Sequence, residues 1–267
     1  MSVFVHPTSI VSKEARIADG VRIGPFCMID PDVEIGEGTR LEGHVRILEH
    51  VTLGKRCRVF ENVVLGGEPQ DLAFRGELSF VRIGDDVTLR ENVTIHRGSG
   101  EGTVTSVGSG TWMMVGSHAG HNASIGEGCI LANGVGLSGY SIVGDGSVLG
   151  GMSGLHQFTR VGRFCMVGGL TKVVKDVPPF TLVDGHPARI HGLNVVGLRR
   201  KGFSQEDRLQ VRRAYREIFV SSSIDREALT RLEQDQSLGA YVKEVLEFIH
   251  GSKRGITPWG NRRGRDD

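Results

Sequence analysis

Histidine, glycine and glutamine follow one another in this sequence at intervals of 18 residues, as His121, Gly139 and Gln157. Four polar or aromatic residues lie within three positions of them: His118, Asn122, Tyr140 and His156. If these intervals bring the three residues together, an imidazole faces an exposed main-chain N–H, as a general base would face an oxyanion donor. The glycine lets a substrate approach the main chain closely. The pattern predicts acid–base chemistry at one site, and it does not choose the reaction.

The interval of 18 has structural meaning because aliphatic residues return every six positions. The period runs from Ile17 to Leu65, from Ile83 to Ile95 and from Val107 to Val173, and glycine follows the aliphatic residue in units such as IGEGTR and IGEGCI. A period of six fits neither an α-helix nor a simple alternating strand. It predicts a mainly β fold, a parallel β-helix in which three hexads form an 18-residue coil and coils stack about 4.8 Å apart. The glycines are expected at the corners.

Breaks in the period predict the domain organisation. The hexads are interrupted near residues 71–82 and 98–106, which we expect to form external loops, where binding groups collect. The β-helix is therefore predicted over residues 1–190. Helical patterns follow, beginning with a capping box at Ser204 and Asp207, and they predict a small helical domain over residues 191–253. We expect residues 254–267 to form a flexible tail.

Composition excludes several classes of protein. The chain has 267 residues, with 39 Gly but only 8 Pro, and 32 basic residues balance 31 acidic ones. These values exclude collagen and disorder, and they argue against a dedicated nucleic-acid binder. Without a signal peptide or a long apolar segment, we expect a cytoplasmic protein that is not an integral membrane protein. The four cysteines form no CxxC pair, which predicts free buried thiols.

Two other interpretations of the histidines remain open at this point. His96, His118, His121 and His156 could bind zinc, as in a metalloenzyme of the carbonic anhydrase type. We expect no metal, because the HAGH segment lacks the helical spacing and carboxylate second shell of such sites. A non-catalytic β-helix scaffold would need neither the 18-residue column of His121, Gly139 and Gln157 nor the external loops.

At these residues the sequence resembles the acyl-carrier-protein-dependent UDP-N-acetylglucosamine O-acyltransferases that start lipid A synthesis. The shared motifs occur in order along nearly the whole chain: FVHPTSIV, IGPFC, PQDL, VTIHRG, HAGHN, CILAN, GGMSGLHQF, MVGG, KDVPPF and GLRRKGFS. The resemblance implies a left-handed parallel β-helix and a homotrimer with active sites between subunits. It also implies transfer of a (3-hydroxy)acyl chain from acyl carrier protein to the 3-position of UDP-N-acetylglucosamine. The carrier's acyl-phosphopantetheine is a co-substrate, and no permanently bound cofactor is expected.

The resemblance also assigns roles to individual residues. His121 matches the general base and Gly139 the oxyanion donor. The substrate-binding positions of the family match Asp71, His118, His156 and Gln157 in the sugar and acyl groove, Gly169 at the site that helps set acyl length, and Asn194 and Arg200 on the nucleotide side. The excess of basic residues after Arg199 offers a docking surface for the acidic carrier protein.

Four positions depart from the family pattern: Ala73, Asn122, Tyr140 and Val196. Many family members have Asp where this chain has Asn122, and a sugar-contacting His where it has Tyr140. These departures leave open whether the acceptor carries a 3-hydroxyl or a 3-amino group. The sibling UDP-glucosamine N-acyltransferase shares the His-Asn pair, but it carries a uridine-binding domain ahead of its β-helix. Because the hexads begin by residue 17, we expect the O-acyltransferase.

Overall fold

A computed structural model describes residues 2–220, 223–235 and 237–260. Most of the chain coils into a three-sided prism of short parallel strands, and four α-helices follow it. We name the three sides face A, face B and face C. The predicted left-handed parallel β-helix with a C-terminal helical region is confirmed.

Each face is one sheet of stacked strands. Face A contains Phe4–Val5, Arg22–Ile23, Arg40–Leu41, Arg58–Val59, Thr88–Leu89, Trp112–Met113, Ile130–Leu131, Val148–Leu149, Met166–Val167, Thr181–Asp184 and Arg189–Leu193. Face B contains Ile10–Val11, Met28–Ile29, Arg46–Ile47, Val64–Gly67, Thr94–His96, His118–Ala119, Gly136–Leu137, Gly154–Leu155 and Lys172–Val173. Face C contains Arg16–Ile17, Glu34–Ile35, Val51–Leu53, Phe80–Ile83, Val104–Val107, Ser124–Ile125, Ile142–Val143 and Arg160–Val161.

The register of the strands agrees with the 18-residue coil. On face B, His118 pairs with Gly136, and Gly136 pairs with Gly154. Where a loop leaves the prism the interval lengthens, so that Val64 pairs with Thr94. Residues 18 apart therefore lie one above the other, as the sequence predicted.

The two external loops begin and end earlier than the breaks in the period suggested, and only the second of them is shorter. Phe80 already pairs with Val104 across face C, so the loops occupy residues 68–79 and 97–103. We call them the first loop and the second loop. The strands Phe80–Ile83 and Val104–Val107 pair along four residues, so strand pairing extends into both predicted breaks. Phe80 and Val104 themselves lie outside the hexad register.

Inward aliphatic side chains fill the prism and form one continuous core. Each coil contributes three such residues, for example Ile125, Leu131 and Leu137, which are at most 2% exposed. Full burial of a side chain of this size stabilises the fold by about 1.5–3 kcal/mol. All four cysteines are free and buried within this core, as predicted.

Glycine serves both close stacking and corner geometry, the latter for example at Gly38 with a φ of 71°. A Cβ added at Gly36 would lie 2.5 Å from the carbonyl carbon of Gly54, and one added at Gly108 would lie 2.5 Å from that of Gly126. By contrast, corners with positive φ accept larger residues, such as Leu170 at 59°. Glycine thus occupies corners as expected, although a corner with positive φ does not require it. At Leu170 the side chain points into solvent, where it meets no steric barrier beyond the backbone cost of roughly 1–2 kcal/mol.

The helical region packs an apolar face against the end of the prism. Its helices are α1 (Val195–Arg200), α2 (Gln205–Ile218), α3 (Arg226–Gln234) and α4 (Ala240–His250), and the strands Phe219–Val220 and Ser223–Ile224 pair between α2 and α3. The predicted capping box is present, because Ser204 and Asp207 satisfy each other's main-chain N–H groups. Tyr215 on α2 is buried, and its hydroxyl donates to the Pro179 carbonyl. No helix in the described residues has the length and hydrophobicity needed to cross a bilayer.

Residues 254–260 do not form the flexible tail that we expected. Ile256 and Trp259 form bridges to Asp176 and Ile190, and Thr257 is buried. The Asp176 carboxylate, only 1% exposed, accepts from Arg160 and from the Ser252 hydroxyl at 2.8 Å. These bonds hold the segment against the last coil, which composition alone could not reveal. Residues 261–267 of the predicted tail lie outside the described residues.

Candidate active site

A cavity of about 370 Å³ opens where face B meets the corner that carries the 18-residue column. Its walls are Gln70, His96, His118, Gly120, His121, Gly136, Leu137, Ser138, Gly139, Gly154, Leu155 and Gln157. Four of the predicted site residues thus line one space: His118, His121, Gly139 and Gln157. The glycines on face B leave this part of the wall without side chains.

His121 is held in a defined orientation. It is 7% exposed, and its Nδ1 lies 2.9 Å from Oδ1 of Asn122. Because a carbonyl oxygen only accepts, Nδ1 carries the proton and Nε2 keeps a free lone pair. The ring packs edge-on against Tyr140, with centroids 5.2 Å apart.

Gly139 lies directly against the free nitrogen. A Cβ added there would stand 2.4 Å from Nε2 of His121, so no other residue fits at this position without moving the imidazole. The Gly139 N–H donates to no backbone carbonyl among the described residues, whereas its carbonyl accepts from Phe158. A main-chain donor and an imidazole lone pair are thus next to each other in the cavity, as the column predicted.

Two further histidines meet beneath the second loop. The rings of His96 and His118 pack edge to face at 4.7 Å, and the Thr94 hydroxyl lies 2.7 Å from Nδ1 of His118. Burial lowers the pKa of His118 and, with the neighbouring histidines, lowers the pKa of His96 to about 4. Both rings are therefore neutral at neutral pH. Within residues 2–220, 223–235 and 237–260, no group of three or more His, Cys, Asp or Glu side chains is arranged to hold a metal ion.

Asp71 extends the site through the first loop. Its Oδ1 accepts from the Ala73 N–H at 3.0 Å and its Oδ2 accepts from the Ser99 hydroxyl at 3.1 Å. These bonds lower the pKa of Asp71, so the group is an anion at neutral pH. Ala73 is one of the four departures from the family pattern. Its main-chain N–H makes the contact with Asp71, so the contact does not depend on the Ala73 side chain.

His156 has a partner that the sequence did not predict. Nη2 of Arg254 lies 3.2 Å from Nδ1 of His156, and it also donates to the Val174 carbonyl at 3.4 Å. The same Nδ1 lies 3.2 Å from the Gln157 carbonyl. A guanidinium only donates and a carbonyl only accepts, so Nδ1 of His156 forms a hydrogen bond with one of these two partners at a time.

Seven predicted residues lie outside the lining of this cavity: Asp71, Asn122, Tyr140, His156, Gly169, Asn194 and Arg200. Gly169 is at another corner of the prism, where an added Cβ would lie 3.3 Å from the Gly151 carbonyl. Asn194 caps α1: its Oδ1 accepts from the Gly197 N–H and its Nδ2 donates to the Phe164 carbonyl. Arg200 is exposed in the last turn of α1, and Val196 is exposed in its first turn.

Comparison with known proteins identifies the family of this chain. A family model described as UDP N-acetylglucosamine O-acyltransferase, domain 2, matches residues 176–257, and a model of six bacterial transferase hexapeptide repeats matches residues 14–49. A curated protein of Sulfurihydrogenibium sp. (strain YO3AOP1) is 48% identical over 262 residues, which cover 98% of this chain and 97% of that protein. It is named acyl-[acyl-carrier-protein]--UDP-N-acetylglucosamine O-acyltransferase. The chain belongs to this acyltransferase family.

Further relatives of the acyltransferase family support the assignment. A protein of the same name from Thermodesulfovibrio yellowstonii is 41% identical over 254 residues, covering 94% of this chain and 98% of that protein. The crystal structure of the Francisella novicida UDP-N-acetylglucosamine acyltransferase matches with a TM-score of 0.92 at 35% identity, covering 95% and 94% of the two chains. The predicted family is confirmed.

Sequence reasoning missed several residues of this candidate site. Ser99 lies in the second loop, where the period breaks, and Gln70 lies in the first loop, so no 18-residue interval places either of them. Arg254 belongs to the segment that was expected to be flexible. His96 was considered only as a metal ligand, whereas its neutral imidazole lines the cavity. A signal for His96 existed in the sequence, because it directly follows Ile95, which keeps the six-residue period.

Proposed function

We propose that this protein transfers a (3-hydroxy)acyl chain from acyl carrier protein to the 3-position of UDP-N-acetylglucosamine, the first step of lipid A biosynthesis. The observation that carries the proposal is the position of His121, whose free Nε2 faces Gly139 in the cavity. The names of the family members support the same substrates.

The reaction needs a base and an oxyanion donor, and no acyl-enzyme. Nε2 of His121 removes the proton of the sugar 3-hydroxyl as that oxygen attacks the thioester carbon. The carbonyl oxygen becomes an anion and is stabilised by the Gly139 N–H. Collapse forms the ester and breaks the carbon–sulfur bond, and the imidazolium returns its proton to the departing thiolate. Asn122 keeps Nδ1 protonated throughout, but as a neutral amide it stabilises the imidazolium less than a carboxylate would.

This property of Asn122 favours a second acceptor. An amine is a stronger nucleophile than a hydroxyl and needs less help from a base, so a 3-amino sugar nucleotide fits a weaker His121–Asn122 pair. Tyr140 adds to this alternative, because its hydroxyl donates towards the Ser99 carbonyl at 3.4 Å and no imidazole stands at that position. We retain UDP-sugars of both kinds as candidate acceptors.

The remaining predicted residues fit the proposal if three copies of the chain assemble. We infer a cytoplasmic homotrimer in which active sites lie between subunits, so that Gly169, Asn194 and Arg200 reach a site from a neighbouring copy. Gly169 then leaves space for the end of the acyl chain. The basic surface after Arg199 is the proposed docking site for the acidic carrier protein, whose phosphopantetheine brings the acyl group.

One experiment tests the function and the choice of acceptor together. The purified protein is incubated with acyl carrier protein loaded with competing acyl chains, and with equal amounts of the 3-hydroxy and 3-amino sugar nucleotides. Mass spectrometry of the products is expected to show one dominant acylated UDP-sugar and free carrier thiol. Hydrolysis of the thioester without an acylated sugar would refute the proposal.

A further inference from the structure

Ser99 directs all three of its polar atoms towards predicted site residues. Its main-chain N–H donates to Oδ1 of Asn122 at 2.8 Å, and its hydroxyl donates to Oδ2 of Asp71 at 3.1 Å. Its carbonyl accepts from the Tyr140 hydroxyl at 3.4 Å. Ser99 itself is only 9% exposed, so these bonds are shielded from water.

The bond to Asn122 decides which end of the amide faces the imidazole. Oδ1 of Asn122 receives two N–H groups, one from Ser99 and one from Nδ1 of His121. A flipped amide would place its NH₂ group against the Ser99 N–H and leave that buried donor without a partner. The main chain at Ser99 therefore holds the oxygen towards His121. A carboxylate would need no such device, because both of its oxygens accept.

The hydrogen bond from the Ser99 hydroxyl to Asp71 connects the first loop to Ser99. The Asp71 carboxylate is held between the Ser99 hydroxyl and the Ala73 N–H, so it faces the site as a fixed negative charge. The loops also brace each other directly, since the Gly102 N–H donates to the Leu78 carbonyl at 2.8 Å. Inside the second loop, the Thr103 hydroxyl donates to the Gly100 carbonyl at 2.7 Å. Ser99 is thus presented by a loop that is itself well bonded.

We propose that Ser99 is a positioning residue of the acyltransferase, which sets the orientation of the Asn122 amide and holds the Asp71 carboxylate in the site. It acts through these two residues and contacts neither the base nor the reacting atoms. The inference rests on the proposed function, because its effect is measured as acyl transfer. It explains how a chain with Asn122 in place of the family's aspartate keeps the His121 tautomer that the reaction needs.

The test of the hydroxyl is a double-mutant cycle. Ser99→Ala is expected to lower kcat/KM by about 10- to 100-fold, the range for a lost hydrogen bond to a charged group. In the Asp71→Ala background, the same change is expected to cost less than two-fold, because Ser99 acts through Asp71. Ser99→Thr keeps both donors and is expected to restore most of the activity. Ser106→Ala serves as the matched control, because among the described residues the Ser106 hydroxyl bonds only the Ser124 hydroxyl.

The test of the main-chain bond uses hydrogen exchange, because no side-chain substitution removes it. The Ser99 amide is expected to exchange slowly in the unaltered protein and at least ten-fold faster in Asn122→Ala. Asn122→Asp is expected to keep the protection, since a carboxylate oxygen accepts the same N–H.

Three results would overturn the inference. These are normal kcat/KM in Ser99→Ala, losses that add fully in the Asp71→Ala background, and fast exchange of the Ser99 amide in the unaltered protein. The proposed function fails separately, if the unaltered protein transfers no acyl group at all. In that case, the inference falls with it.

Discussion

Replacing Gly139 by alanine tests the contact between the oxyanion donor and the base. The added Cβ would stand 2.4 Å from Nε2 and 2.6 Å from Cε1 of His121, whereas ordinary contacts begin near 3.4 Å. The imidazole must therefore move by about 1 Å, a displacement that costs on the order of 10²-fold in rate. The main-chain N–H remains, so any loss comes from the displaced base.

The assay compares kcat with the thermal unfolding midpoint. Overpacking of this kind costs about 1–3 kcal/mol of stability, which lowers the unfolding midpoint of a chain of this size by about 2–12 °C. Gly43→Ala is the matched control, because Gly43 also precedes a corner with positive φ and its added Cβ would meet Pro25 at an ordinary 3.4 Å. We expect Gly43→Ala to have normal activity. A Gly139→Ala protein with normal kcat would refute the assigned contact.

Three further expectations concern pH, the C-terminal segment and salt. The pKa of His96 falls from 6.5 to about 4 on folding, so between these values the unfolded chain binds more protons and stability decreases as the pH falls. Unfolding midpoints measured from pH 7 to pH 4 should show this decrease, and His96→Gln should reduce it; an equal decrease in both proteins would contradict the assignment. Arg254→Gln removes the partner of His156 and is expected to raise a substrate KM by about two- to ten-fold while the unfolding midpoint stays within a few degrees. An unchanged KM in Arg254→Gln would show that Arg254 does not contribute to substrate binding. If the basic surface after Arg199 docks the carrier, the KM for acyl carrier protein should rise with added salt, whereas a salt-independent KM would exclude electrostatic docking.

Much of the fold could be predicted because the inward positions obey one period. An aliphatic residue every six positions fixes the length of each coil, and the 18-residue interval then brings His121, Gly139 and Gln157 into one column. The structure agrees with that column because strand pairing keeps the register from His118 to Gly154. The placement of the three residues was therefore accessible from spacing alone.

The rest of the site could not be predicted because it is built where the period fails. Ser99 reaches Asn122 and Asp71 from a loop whose path depends on its own hydrogen bonds. Arg254 reaches His156 from a polar segment that is ordered by the buried Asp176. Asn194 matches a nucleotide-side position of the family, yet its amide also caps α1, a local role that the resemblance did not include.

The central claim is that His121 is the general base of an acyl transfer, and His121→Ala tests it most directly. Turnover of acyl carrier protein and the preferred UDP-sugar is followed by mass spectrometry, beside size-exclusion chromatography and circular dichroism. His44→Ala, in an N-terminal coil, controls for the loss of a histidine from the prism. We expect His121→Ala to lower kcat by at least about 10²-fold with the assembly and fold unchanged. Acyl transfer by His121→Ala at the rate of the unaltered protein would contradict it.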